Sequence, residues 1–404
     1  MTKEKTQKKE GDYSNRLPLS PFNENNHLQV TKAPTILYFT DTHLSPPVGT
    51  KELRFFNWKR DLTAFINSWR EQISVHHDQI KERMRLLNNI ANIAPPELII
   101  SGGDCCDTIE MGGFLETMTF LEESIPTSAT NMIWITGNHD TSFTGPEAIF
   151  YRFLQKQGFE TIPIEIYQQI INMIKNGSSW KEILSFWQNH YPDKPIIIHP
   201  ALRWYLLRLY GGPNIGRYFI ESENTQVVFL NSELYSDKKN ITGHGSNSGT
   251  IEGLKKARKS LGLKESDSLF NEILSLLAND YQAQENTIKQ MIDDNQRGIK
   301  TIIYVHDPRQ IWHILAAENF NRQNTVVYCG HYHLVDEKNI QKMRKEGVEI
   351  IPVAALSRYY IGPFGQRPGT RLTQFTPLSK AYTYNPPPQV LIDALSNPQL
   401  FNLD

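Results

Sequence analysis

Hydrophobic and polar positions along this chain repeat one phrase. A short apolar run halts at glycine or threonine and is followed at once by Asp, Asn or His, at 36–43 (ILYFTDTH), 98–107 (LIISGGDCCD), 132–140 (MIWITGNHD), 301–306 (TIIYVH) and 325–333 (TVVYCGHYH). Unbroken apolar runs of this length read as strands buried on both faces. Polar turns at the carboxyl ends of such strands are where open α/β sheets hold ligands. Between the runs the period changes to that of a helix: Ile80, Met84, Leu87 and Ile90 make one apolar face, stopped by Pro95 and Pro96, and Phe114, Leu115, Met118 and Leu121 make another. The order strand, helix, strand, helix, strand predicts parallel βαβ units in an α/β fold.

Residues 1–30 carry no apolar period and read as a disordered or loosely docked tail, so the main domain is expected over 31–361. A long insertion, about 145–220, breaks the alternation. Helical patches at 164–174, 180–187 and 204–210 give it a mainly helical character, and its place in the chain predicts a cap near the mouth of the site, where substrate choice is made. The run 225–231 (TQVVFLN) predicts another core strand, 251–295 is mostly helical, and a charged helix over 336–345 leads to a last strand over 348–355. The Pro- and Gly-rich stretch 362–404 reads as a tail on the surface.

Composition narrows the function classes. With 404 residues and 39 % hydrophobic content there is ample material for a core, while 42 basic against 43 acidic residues give no extended nucleic-acid surface. No apolar run approaches the roughly 20 residues of a membrane span, and the first fifteen residues are charged where a signal peptide would be apolar, so the chain reads as cytoplasmic. Three cysteines without CxxC spacing argue against a disulfide framework or a structural zinc, and Cys105, Cys106 and Cys329 read as reduced thiols filling packed strand ends.

The turns supply a ligand set: Asp41, His43, Asp104, Asn138, His306, His331 and His333. Asp41 and His43, two apart on an extended backbone, project to one side and can share a metal. Imidazole plus carboxylate suits Mn, Fe or Zn rather than Mg or Ca. This is too many ligands for one ion. Two divalent or mixed-valence transition metal ions about 3.5–4 Å apart, sharing one carboxylate, would use them all, with Asp104 the natural bridge. Two aspartates and a bridging hydroxide would leave such a pair about +1, which draws in an anionic substrate; metal-bound hydroxide would then attack phosphorus in line.

D-x-H, GGD-x-x-D, GNHD, a later His after a strand, and G-H-x-H, in that order over about 36–335, resemble the calcineurin-like metallophosphoesterases. The resemblance implies a four-layer α/β/β/α sandwich with a dinuclear centre at the strand ends. It assigns Asp41, His43, Asp104 and His333 to one metal, and Asp104, Asn138, His306 and His331 to the other. It gives His139 the role of general acid or phosphate-oxygen donor, oriented by Asp140. The Asp41-Thr42-His43 start and GNHD are more similar to the cyclic-nucleotide and glycerophosphodiester phosphodiesterase branch than to protein phosphatases. A small-molecule phosphodiester is the substrate this implies, with a phosphomonoesterase or protein phosphatase, a nuclease of the same fold, or a non-catalytic scaffold as alternatives.

Some positions have two readings. Asp107 is a helix N-cap or a ligand. His199 also follows an apolar run and rivals His306, which sits where the resemblance places the later histidine. His76 and His77 read as surface residues on a charged helix, and His190, His244 and His313 as structural. Asn138, His139, Arg309 and Arg358 are candidates for substrate contact, with Tyr359 and Tyr360 beside them.

Overall fold

Side-chain alternation along the strands decides the layering. The computed structural model describes residues 20–22, 27–44, 80–106, 108–125, 131–191, 194–235, 249–332, 338–356 and 381–395. Within these, the strands in chain order are β1 (His27–Val30), β2 (Ile36–Phe39), β3 (Leu98–Ser101), β4 (Asn131–Trp134), β5 (Gly216–Ile220), β6 (Thr225–Phe229), β7 (Lys300–Val305), β8 (Thr325–Cys329), β9 (Glu349–Pro352) and β10 (Tyr382–Asn385). One sheet runs β10-β2-β3-β4 and the other β1-β5-β6-β7-β8-β9. The strands β2, β3 and β4 are parallel, as are β6, β7, β8 and β9, while β10 and β5 pair antiparallel with β2 and β6.

Ile36, Tyr38, Leu98, Ile100 and Ile133 of the smaller sheet share one buried cluster with Tyr218, Val227, Phe229, Ile302 and Tyr304 of the larger. The alternate residues face outward. Leu37, Phe39, Ile99, Met132 and Trp134 pack under one set of helices, and Val228, Ile303, Val305, Val327 and Ile350 under another. Because successive side chains point to opposite faces, this assignment requires four layers, helix, sheet, sheet, helix. It is the fold class expected from the motif order.

The outer layer on the smaller sheet comprises α1 (80–93), α2 (Met111–Ser124), α4 (Ile164–Lys175), α5 (Trp180–His190) and α6 (Pro200–Gly211), with α3 (Pro146–Lys156) at its edge. Ile80, Met84, Leu87 and Ile90 are all buried, as their spacing predicts, each contributing roughly 1.5–3 kcal/mol by leaving water. A capping box between Ser179 and Glu182 starts α5. The other sheet is covered by α8 (Ser268–Gln296), which follows α7 (Ile251–Ala257), and by α9 (Trp312–Leu315) and α10 (Lys338–Lys345).

The ends of the chain depart from expectation. His27–Val30 is not tail but pairs in parallel with β5, and Tyr382–Asn385 is not surface tail but an edge strand on β2. Short edge strands of this kind carry too few apolar residues to show a period of their own; long-range backbone pairing decides them. The insertion is also shorter than 145–220 implies, since Gly216–Ile220 is a sheet strand. Its helices are not a separate cap: α4, α5 and α6 carry Tyr167, Trp180, Trp187, Trp204 and Tyr210 into the cluster beneath the smaller sheet. Among the described residues no helix is long and apolar enough to cross a membrane.

Candidate metal centre

The polar turns gather at one end of the two sheets because the loops after β2 and β3 continue as a ladder beyond the strands. Asp41 N–H donates to Gly103 O at 3.0 Å, His43 N–H to Asp104 O at 2.9 Å and Leu44 N–H to Cys105 O at 3.0 Å. Asp41, His43, Asp104 and His331 all adopt the left-handed backbone region, at φ of 52, 45, 53 and 65°. Among the described non-glycine residues only Asn224 joins them. That conformation costs an L-residue on the order of 1–2 kcal/mol. Its concentration on expected ligands marks a site held against local preference.

Two glycines make the close approach feasible. A Cβ on Gly137 would collide with the Asp104 carboxylate and lie 2.5 Å from its backbone N, and one on Gly330 would strike the Thr40 hydroxyl and lie 2.7 Å from Asp41 Oδ2. Only hydrogen at these positions lets the 137–140 and 330–332 turns close over the carboxylates.

Two groups of ligand-type side chains result, His43 with Asp104 and His139, and Asp104 with His306 and His331, each with ligand atoms within 4.8 Å of one another. Asp104 belongs to both. Its Oδ2 lies 3.1 Å from His306 Nε2 and 3.9 Å from His43 Nε2, and Asp41 Oδ1 is 3.7 Å from His43 Nε2. Asn138 Oδ1 sits between two imidazoles, 3.1 Å from His306 Nε2 and 2.8 Å from His331 Nδ1. This chemistry, buried carboxylates shared between imidazoles, with an amide oxygen alongside, fits a pair of transition metal ions.

The expected ligands Asp41, His43, Asp104, Asn138, His306 and His331 are thus brought together. His333, Asp107, Arg358, Tyr359, Tyr360, His76, His77 and His244 lie outside the described residues. His199 is elsewhere: it caps α6, accepting from Ala201 N–H at 3.1 Å, with its Nε2 3.2 Å from Ser260 Oγ. Burial, aided by Arg152 and Arg203, lowers its pKa to about 3, so it is a neutral structural imidazole. His190 is an exposed residue bonded to Phe186 O, and His313 packs on Tyr235. The cysteines are buried and form no disulfide, and burial pushes the Cys105 and Cys329 thiols up, in keeping with inert fillers.

Two expectations need correction. Asp140 does not orient His139; its carboxylate accepts from the backbone N–H groups of Asp104 at 2.9 Å, Gly137 at 3.0 Å and Cys105 at 3.3 Å, so it ties two turns together. Among the described residues Glu147 approaches His139, its Oε1 2.5 Å from Nδ1. Arg309 is not a free cation awaiting phosphate. Its guanidinium is paired with Asp307, with Nε at 2.9 and 3.1 Å and Nη2 at 2.8 Å from the carboxylate, and it donates to His331 Nε2.

Glu147, Arg203 and Asp307 went unread because nothing local marks them. Glu147 looks like an ordinary acid in a first helical turn, Arg203 lies inside an apolar helix, and Asp307 merely follows a candidate ligand. Arg203 is fully buried and donates to Thr108 O at 2.5 Å and His139 O at 2.6 Å, bracing the two turns from behind.

The electrostatics divide the imidazoles. Burial alone would lower the His306 pKa, but the Asp104 carboxylate, with Asp41 and Glu233 behind it, pushes it up to about 10. In the metal-free protein its Nδ1–H donates to Gly102 O at 2.8 Å and its Nε2–H faces Asp104 and Asn138. His331 is the reverse, lowered to about 4 chiefly by burial, with Arg309 and His306 adding to it against the pull of Asp307. Asp104 stays well below the usual carboxylate range because His306, His139 and His43 overcome the effect of its burial.

A metal at His306 Nε2 must therefore displace a proton. Loading metal-free protein with Mn²⁺ near pH 7.5 is expected to release about one proton from this residue, with affinity rising toward pH 10. Calorimetry in two buffers of different ionisation enthalpy measures it; a buffer-independent heat would contradict the protonated state. The sign for folding is consistent. The pKa is raised from 6.5 in the free residue to about 10, so this pair stabilises metal-free protein fully below pH 6.5 and its contribution fades between 6.5 and 10.

The four-layer sandwich with a carboxylate shared by two histidine clusters at its strand ends defines a class of metal-dependent enzyme. The sequence model of the calcineurin-like phosphoesterases matches residues 34–335, and the chain belongs to that family, phosphoester hydrolases built around a dinuclear metal centre. Among curated proteins none matches the chain. Among solved structures it is similar to a dimetal phosphatase from Danio rerio at 12 % identity, with a TM-score of 0.34 over 80 % of this chain and 88 % of that one.

Proposed function

We propose that this phosphoester hydrolase is a phosphodiesterase acting on a small molecule. The observation that carries the reading is charge. Apart from the metals, the described cations beside the centre are already committed, Arg309 to Asp307 and Arg203 to two carbonyl oxygens. Such a centre matches the single negative charge of a diester better than the two charges of a monoester. The Asp41-Thr42-His43 and Gly137-Asn138-His139-Asp140 turns support the same branch.

Bound Mn, Fe or Zn ions would supply Lewis acidity and an activated water. The ligands we assign are Asp41, His43, Asp104 and His333 for one ion and Asp104, Asn138, His306 and His331 for the other. The protein's own groups do the rest. Asn138 turns Oδ1 toward the imidazoles, leaving Nδ2 to donate to a phosphate oxygen. His139, whose Nδ1 lies 2.5 Å from Glu147 Oε1, is the group that protonates the leaving oxygen. Its main chain is fixed on both sides, N–H to Asp104 Oδ1 at 2.8 Å and C=O to Arg203, so the ring cannot drift with the turn.

The test compares bis(4-nitrophenyl) phosphate with 4-nitrophenyl phosphate on Mn-loaded protein. We expect kcat/KM to favour the diester by about tenfold or more, the effect of one charge partner worth about 1.4 kcal/mol. Preference for the monoester would make the protein a phosphatase instead. No hydrolysis of either, with fewer than one metal per chain, would leave a scaffold.

A further inference from the structure

We infer that Arg203 is a positioning residue for the chemistry at His139, so that α6, within the inserted segment, is a working part of the centre and not a device for choosing substrates. The inference rests on the hydrolase reading above and extends it to a residue outside every metal-binding turn. Arg203 lies near the start of α6 and is fully buried. A guanidinium at that depth is costly unless its donors are spent. They reach backbone oxygens, Nη1 to Thr108 O at 2.5 Å and Nη2 to His139 O at 2.6 Å.

The two carbonyls belong to different loops, Thr108 beyond Asp104 on the loop after β3 and His139 on the turn after β4. One planar fork spans both, so a rigid group sets the distance between the loops. Asp140 supplies the converse, its carboxylate accepting from the backbone N–H groups of Asp104, Cys105 and Gly137. A buried anion thus gathers the amides of the two loops and a buried cation gathers their carbonyls, and the two charges attract through space. His139 lies within this clamp, its N–H donating to Asp104 Oδ1 at 2.8 Å and its C=O accepting from Arg203. The ring has neighbours of its own, His43 and Glu147 among them. What Arg203 fixes is the peptide that carries it.

The helix is anchored for this task. His199, fully buried, caps its start, with Nδ1 accepting from Ala201 N–H at 3.1 Å and its carbonyl accepting from Arg203 N–H at 3.1 Å. Trp204, Tyr205 and Leu206 then pack α6 into the cluster beneath the smaller sheet. The guanidinium is therefore delivered from a rigid element, and rigid delivery is what holds a reacting group in its productive place.

The experiment uses full-length, Mn-loaded Arg203→Ala with N-ethylguanidinium, the fragment the substitution removes, and N-ethylurea, its neutral counterpart. On the better of the two nitrophenyl esters kcat is expected to fall about 10–100-fold, with KM within about threefold and two metals per chain retained. Ethylguanidinium should recover about tenfold or more and ethylurea none, and Arg203→Lys should stay impaired because one ammonium cannot bridge both oxygens. An unchanged kcat, loss of metal, absence of rescue, or full activity in Arg203→Lys would overturn the inference.

A second measurement does not depend on turnover. In metal-free full chain, Arg203→Lys should speed hydrogen exchange at the His139 amide about tenfold or more while the amides of β3 and β4 keep their wild-type rates. Uniform acceleration, an unchanged His139 amide, or failure of both variants to fold would make Arg203 merely structural and overturn the inference. The two readings separate. No hydrolysis of either ester by the wild type would remove the hydrolase reading while exchange still decides the clamp; turnover lost in His139→Ala yet intact in Arg203→Ala would remove only the role of Arg203.

Discussion

Asp104→Asn is expected to empty both metal positions in one step. Asp104 is the residue common to the two ligand groups, fully buried, with one oxygen toward His306 and His43 and the other receiving His139 N–H. An amide keeps the shape but removes the charge that offsets two dications and leaves one oxygen where two were used. Loss of an outer-shell partner already lowers metal affinity about 10–100-fold, so loss of a shared inner ligand should exceed that at each position. Metal analysis after desalting should fall from two ions per chain to below one, and hydrolysis should fall by about 10³ or more. The circular dichroism spectrum should be retained, since the sheets and their helices do not depend on this side chain. Two tightly held ions in the variant would show that another residue bridges.

The second large effect is expected from His139→Ala, which should keep both metals and slow turnover by about 10²–10⁴, the span for a lost general acid. The substitution is cleaner than most. The contacts that fix residue 139 in the turn are its backbone N–H to Asp104 and its C=O to Arg203, and alanine retains both. Only the imidazole goes. Because His139 is grouped with His43 and Asp104 by distance, a loss of one metal in this variant would reassign it as a ligand. An unchanged rate with both metals present would remove it from the chemistry. Measuring metal content and kcat on one preparation distinguishes the three outcomes.

The contrast between Asp140 and Glu147 shows how far the chain alone can be read. Buried parallel strands need continuous apolar runs, and polar residues set immediately after them have no packing reason to be there. So the buried parallel strands, the histidine-rich turns and the shared Asp104 were legible at 36–43, 98–107, 132–140, 301–306 and 325–333, while the four-layer sandwich was what the family resemblance implied. His306 was separable from His199 only by the order of elements; in the structure His306 Nε2 lies 3.1 Å from Asp104 and His199 caps α6.

Sequence by itself determined which residues could bind metal and in what order the strands deliver them, because burial and side-chain periodicity are local properties of the chain. Tertiary structure alone decided which carboxylate reaches which imidazole. Asp140 is adjacent to His139 yet turns to backbone amides, while Glu147 arrives from a helix, Arg203 braces the turn from another, and Asp307 claims Arg309. Those pairings depend on the angle at which separate elements meet, and close packing of two sheets and two helical layers sets that angle.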